Sequence, residues 1–200
     1  MSEATVPRPN TLPVRLLRLY GGLALYGLGI AFQLVSGLGN APWNTLHQGL
    51  AMRTGLSVGT IILAVGVLVM LLWIPLKEKP GLGTISNVLF VGLFADAAFS
   101  VLPTATHWAA SWLYLVLGVL SIALATVLYI GAGMGAGPRD GIMTGLTRLG
   151  LSLRLARFLI EIMVLAAGWL LGGTVGVGTL IFALAIGPLT QLLTRWFPMA

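Results

Sequence analysis

Apolar residues dominate six long stretches of the chain, at residues 17–38, 57–76, 82–103, 108–133, 155–173 and 176–197. A helix rising 1.5 Å per residue needs roughly 20 residues to cross a hydrocarbon core of about 30 Å. Each stretch meets that length, and the short breaks between them are mostly marked by Gly or Pro. Lys77-Glu78-Lys79-Pro80 closes the second, Pro103 the third and Gly172-Gly173 the fifth. The pattern predicts an all-α membrane protein with six transmembrane helices.

Composition agrees. Of the 200 residues, 58% are hydrophobic and 8% charged, and the mean hydropathy is +0.99. Soluble domains carry about 25% charged residues, so lipid is the solvent expected for this chain. The net charge of +6 would suggest nucleic acid in a soluble protein, but here the basic residues sort by loop, and no nucleic-acid partner is expected. There is no cysteine, which removes disulfides, thiolate metal sites and cysteine nucleophiles. Residues 1–14 read as a polar cytoplasmic tail rather than a signal peptide, because the apolar segment that follows is too long for one.

Arg8, Arg15 and Arg18 lie before or at the start of the first stretch, and Lys77 and Lys79 follow the second. Arg139, Arg148 and Arg154 lie between the fourth and fifth, Arg157 at the start of the fifth, and Arg195 near the end. With a cytoplasmic N-terminus all of these fall inside, leaving Arg53 as the exception. Both termini are therefore expected in the cytoplasm, and the protein in a bacterial inner membrane.

The chain also repeats itself. GLGNAPWNTLHQGL, from Gly37 to Leu50, aligns with GMGAGPRDGIMTGL, from Gly133 to Leu146. Gly37, Gly39, Pro42, Gly49 and Leu50 match Gly133, Gly135, Pro138, Gly145 and Leu146 at one constant spacing, as do Gly22 with Gly118 and Leu28 with Leu124. After a one-residue gap the register resumes: Gly55-Leu56-Ser57 matches Gly150-Leu151-Ser152, and Gly81, Gly83, Thr84 and Gly92 match Gly176, Gly178, Thr179 and Gly187. Residues 15–103 and 104–200 thus read as two three-helix repeats, each with a Gly-Pro motif and short helix after its first span. An odd number of spans per repeat makes the second copy enter the membrane upside down, giving a 3+3 inverted-topology repeat.

The GxGxGPxDxxxxGL pattern, the GLS triplet and the late GVGT segment resemble the YczE-type family of bacterial membrane proteins, grouped with the YitT-like proteins. The resemblance spans residues 15–197 and is most specific in GAGPRDGIMTGL and GGTVGVGTLIFALAIGPL. It implies a fold rather than an activity. Family members often carry Asp in a GPWD sequence where this chain has Asn44.

Candidate chemistry gathers at the two motifs. Pro42 and Pro138 suit a first helical turn, and helix N-termini offer unpaired N–H groups and partial positive charge to polar or anionic groups. The short helices either re-enter the membrane or lie flat on it; Trp43, Leu46 and Leu50 share one face, as do Ile142, Leu146 and Leu149. Trp43, Asn44, His47, Arg139 and Asp140 are candidate pathway residues in the motifs. Asp96 and Glu161, charges within predicted spans, are the others. Each has a plainer reading: Arg139 as a topology charge, Asp140 as a helix-start carboxylate, Asp96 as a local polar contact, His47 as an interfacial hydrogen-bonder. Glu161 would then be the i,i+4 partner of Arg157. Trp43, Trp108, Trp112 and Trp196 also suit an aromatic belt at the interfaces. His47 and His107 lack the further ligands a metal site needs.

Inverted repeats recur in secondary transporters, so the expected function is movement of a small polar or anionic solute, or an ion, between the repeats. Alternatives are a substrate-binding membrane subunit of a larger uptake complex and a regulatory or assembly protein. Homo-oligomers or a partner subunit are compatible with either. No nucleotide loop, HExxH motif or nucleophile–base pair occurs, so neither a cofactor nor an enzymatic activity is expected.

Overall fold

The computed structural model describes residues 11–197; most of the expected N-terminal tail lies outside them. Among the described residues there are nine helices and no strand. They are α1 (Leu12–Ser36), α2 (Pro42–Thr54), α3 (Val58–Leu71), α4 (Trp73–Leu76), α5 (Leu82–Val101), α6 (Trp108–Gly131), α7 (Pro138–Arg148), α8 (Leu153–Leu170) and α9 (Val177–Thr194). The first helix begins earlier than the hydropathy predicts, because Pro13 in its first turn supplies a helical φ where no N–H is needed.

Five segments are long and apolar enough to cross a membrane: α1, α3 with α4, α5, α6 and α9. The stretch predicted over 155–173 does form a helix, α8, but Arg154, Arg157 and Glu161 lie within its 18 residues. Those charges set it apart from the other five.

α1 sits at the centre. Gly22 faces Ala125 and Tyr129 while Gly29 faces Gly118 and Ile122, so α1 and α6 run antiparallel at close range. Tyr20 meets Ser86 and Gly27 meets Ala95, so α1 and α5 run parallel. α3 lies antiparallel to α5, with Gly59 against Gly92 and Gly66 against Val88. Small residues let these backbones approach, the packing on which helices in lipid depend. Leu19, Leu23, Ile30, Ile62, Val91 and Ile122 fill the space between them.

The two Gly-Pro segments are pinned in matching ways. Gly178 N–H donates to the Leu38 carbonyl at 2.8 Å, and Gly83 N–H to the Met134 carbonyl at 2.7 Å. In the sequence register these are the same bond made twice, each time between the loop of one half and the start of the last helix of the other. At Gly39 (φ +113°) and Gly135 (φ +124°) the loop adopts a conformation that favours glycine. A side chain there would also strike Gly176 or Gly81. Longer polar links add to this: Gln48 Oε1 accepts from Asn40 Nδ2 and from Thr174 N–H, and Arg15 donates to the Ala132 and Gly133 carbonyls at the end of α6.

Candidate functional site

α2 and α7 do not turn their apolar faces outward. Trp43 and Met143 join Val69 and Ile160 in a shared core, with Leu46, Ile142 and Leu146 packed against it. Leu149, placed on the same face from the sequence, is instead exposed. This packing aims the first turns of both short helices at one cavity of about 460 Å³, a volume within the usual range for small-molecule sites, about 300–1,000 Å³.

Six of the seven candidate residues line that cavity: Trp43, Asn44, His47, Arg139, Asp140 and Glu161. The Arg139 guanidinium lies over the Trp43 ring, 4.8 Å from its centroid. Trp43 is 6% exposed, so it belongs to this site and not to an interfacial belt; Trp108 and Trp196 are largely exposed and Trp112 partly so.

A second correspondence runs through the site. Gln33 Oε1 accepts from Asn44 Nδ2 at 3.0 Å, and the Tyr129 hydroxyl donates to Asp140 Oδ2 at 3.1 Å. Gln33 and Tyr129 occupy one register position, and Asn44 and Asp140 another. Each motif's third helical residue is thus held by a polar side chain from the preceding long helix. Gln33, Tyr129 and Arg157 were missed as site residues in the sequence. Gln33 and Tyr129 are single uncharged polar groups in apolar runs, and Arg157 reads as a topology charge. The repeat register was the signal available for the first two.

The cavity is closed at its α2 end, where Asn44 and His47 are each 1% exposed. Several buried polar atoms there have no hydrogen-bond partner, among them Trp43 Nε1, Asn44 Oδ1 and His47 Nδ1, with Gln33 Nε2 beside them. Buried polar groups are normally paired, so such a cluster marks where a guest's polar atoms can bind. Burial, and secondarily the charge of Arg139, hold His47 well below its ordinary pKa of 6.5, so it is neutral.

Toward α7, α8 and α9 the lining is more open: Arg139 and Asp140 are half-buried, and Arg157, Gly187 and Gln191 are exposed. The difference between the ends can be traced to residues. On the closed side α8 lies against α2 through Gly168, whose position a side chain could not share with Thr45 and Leu46. Its register equivalent is Trp73, a large ring set against Gly141, with Nε1–H donating to the Pro138 carbonyl at 2.9 Å. Similarly, Gly59 and Gly66, which let α3 close on α5, correspond to Arg154 and Glu161, and α8 and α9 stand apart.

The expected Glu161–Arg157 ion pair does not form. Both side chains line the cavity, and among the described residues neither has an ion-pair partner within 4 Å. Arg148 does pair with Glu78, at 3.2 Å, tying the last turn of α7 to the end of α4. Asp96 stands apart from the cavity: it accepts from Gly59 N–H at 2.7 Å and from Ser57 Oγ at 2.5 Å, at the start of α3. His107 precedes α6 and is exposed. No cluster of metal-ligating residues occurs among the described residues.

These helices and the partly open cavity between them, of mixed polar and apolar lining, define a polytopic α-helical membrane protein. The chain belongs to the YczE-type membrane proteins, matching over residues 13–195 the model of a family of unknown function, DUF6198. It is 39% identical over 170 residues to an uncharacterized protein of Haemophilus influenzae, covering 84% of this chain and 78% of that one. It is 30% identical over 171 residues to the uncharacterized membrane protein YczE of Bacillus subtilis, covering 84% and 80%. A third relative, YyaS of Bacillus subtilis, is 26% identical over 168 residues, covering 81% of this chain and 84% of YyaS. No solved structure gives a significant match.

Proposed function

We propose that this protein is a carrier, not an enzyme, and moves a small polar solute across a bacterial inner membrane through the cavity between its two halves. In this reading α8 is a sixth span, its charged turn facing the cavity rather than lipid. The halves are then inverted three-span repeats with both termini cytoplasmic. α2 and α7 enter from opposite faces and meet at the cavity, where lipid gives their polar first turns no other partner.

The observation that carries the reading is the convergence of Trp43-Asn44 and Arg139-Asp140, equivalent positions of the two motifs, on one cavity. A site on the seam between equivalent halves can be opened to either face by exchanging which half is tightly packed. The glycine-zipped α3–α5 pair and the separated α8–α9 pair are the two packings such an exchange needs. With α7 cytoplasmic, the described conformation faces inward.

A thermal-shift screen of small polar solutes on purified protein, followed by uptake of the hits into liposomes, tests this. Uptake that Trp43→Ala and Arg139→Gln each lower at least tenfold is expected. Hits that bind yet are never taken up would defeat the carrier reading.

A further inference from the structure

The cavity carries both signs of charge, and this restricts what it can hold. Arg139 and Arg157 line it together with Asp140 and Glu161. Among the described residues none of the four is ion-paired with another. Asp140 accepts from Tyr129, and Arg139 stacks on Trp43. A simple anion here would meet two guanidinium groups but also two carboxylates; a simple cation would meet the reverse. In a site bounded by low-dielectric walls, such uncompensated neighbours are costly.

The closed end has the same dual character without charge. Trp43 Nε1 is an unpaired donor, and Asn44 Oδ1 an unpaired acceptor, both in nearly buried side chains. The rest of the lining is largely apolar and includes Val65, Val91, Ile122, Phe182 and Ile186.

We infer that the cavity is a binding site for a small zwitterion, an amino carboxylic acid with an apolar side chain. Its carboxylate is taken by the guanidinium groups, its ammonium by the carboxylates, and its side chain by the apolar wall. The inference rests on the carrier reading for its biological sense, but the binding site stands on the cavity itself.

The test uses purified full-length protein in detergent and three kinds of probe. L-Leucine and L-phenylalanine carry both charges; 4-methylpentanoate and 3-phenylpropanoate lack the amine; 3-methylbutylamine and 2-phenylethylamine lack the carboxylate. At least one amino acid should raise the apparent melting temperature by about 5 °C or more near saturation, with its two analogues giving little shift. Arg139→Gln and Glu161→Gln should each reduce that shift. Arg139→Lys, which keeps the charge, should retain part of it, separating lost recognition from lost folding. An equal shift with a carboxylate-only analogue, or no shift with either amino acid, would overturn the zwitterion site. The carboxylate-only result would leave the carrier reading intact. Amino acid binding without any counterflow in liposomes would remove the carrier reading and leave the zwitterion site standing.

Discussion

Arg139 and Trp43 are the same position of two copies of one motif, and they touch: the guanidinium of one lies 4.8 Å from the ring centroid of the other. Residues related by a repeat meet where the two copies share a boundary. This contact therefore joins the first turns of α2 and α7, and the two different side chains make a pair that neither motif could make with itself.

A partly buried cation–π contact contributes about 0.5–2 kcal/mol. Arg139→Gln is expected to lower the apparent stability of the purified protein by that order and to change the near-ultraviolet circular dichroism of Trp43. Arg139→Lys should show a smaller loss. An unchanged spectrum in Arg139→Gln would mean that the ring and the guanidinium do not associate in solution.

His47 gives the protein a pH dependence with a definite sign. Its folded pKa is depressed by burial and by Arg139, whereas the unfolded chain takes up a proton near 6.5. Below about pH 6.5 the unfolded state therefore binds more protons than the folded one, and stability falls as the pH is lowered. The register equivalent of His47 is Met143. Replacing His47→Met should flatten the decline in melting temperature between pH 7 and pH 5. An identical slope in wild type and variant would exclude His47 as its source.

Asp96 tests the difference between a structural and a pathway carboxylate. Its oxygens accept from Ser57 and from the Gly59 N–H at the start of α3. Asp96→Asn weakens both bonds, and a loss of about 1–3 kcal/mol in stability is expected. Solute-dependent thermal shifts should persist. Their disappearance in a variant that still folds would return Asp96 to the pathway.

Because the chain has no cysteine, paired cysteines can report the asymmetry directly. A Cβ on Gly66 would lie 3.5 Å from the Val88 Cβ, within the separation of about 3.5–4.5 Å that a disulfide spans. Gly66→Cys with Val88→Cys should cross-link readily. The register-equivalent pair, Glu161→Cys with Ala183→Cys, should not do so in this conformation. Equal cross-linking of both pairs would contradict the separation of α8 and α9.

The proposed inversion of the two halves has its own test. Thr54→Cys, at the end of α2, and Leu149→Cys, beside the end of α7, should react with a membrane-impermeant thiol reagent from opposite faces of oriented vesicles. Labelling from the same face would rule out inversion and, with it, two gates built from equivalent halves.

Much of this protein is determined locally. Helix positions follow from apolar runs of spanning length, and their ends from Pro and Gly, because backbone geometry and the absence of water in lipid leave few alternatives. The Gly and Pro matches between the two motifs fall where the backbone itself is in contact, as at Gly39 against Gly176. The first helix extends further toward the N-terminus than hydropathy indicates, since helix formation needs only a suitable backbone there, not an apolar side chain.

Tertiary packing decided the rest. Hydropathy cannot tell whether Trp43 faces lipid or a cavity, since both environments accept a ring. Nor does i,i+4 spacing pair Arg157 with Glu161 where both side chains line the cavity. That one side is closed and the other exposed goes with Gly59 and Gly66 letting α3 close on α5, while at the equivalent positions Arg154 and Glu161 occur where α8 and α9 stand apart. These are contacts between residues far apart in the chain, whose consequences exist only once the helices are brought together.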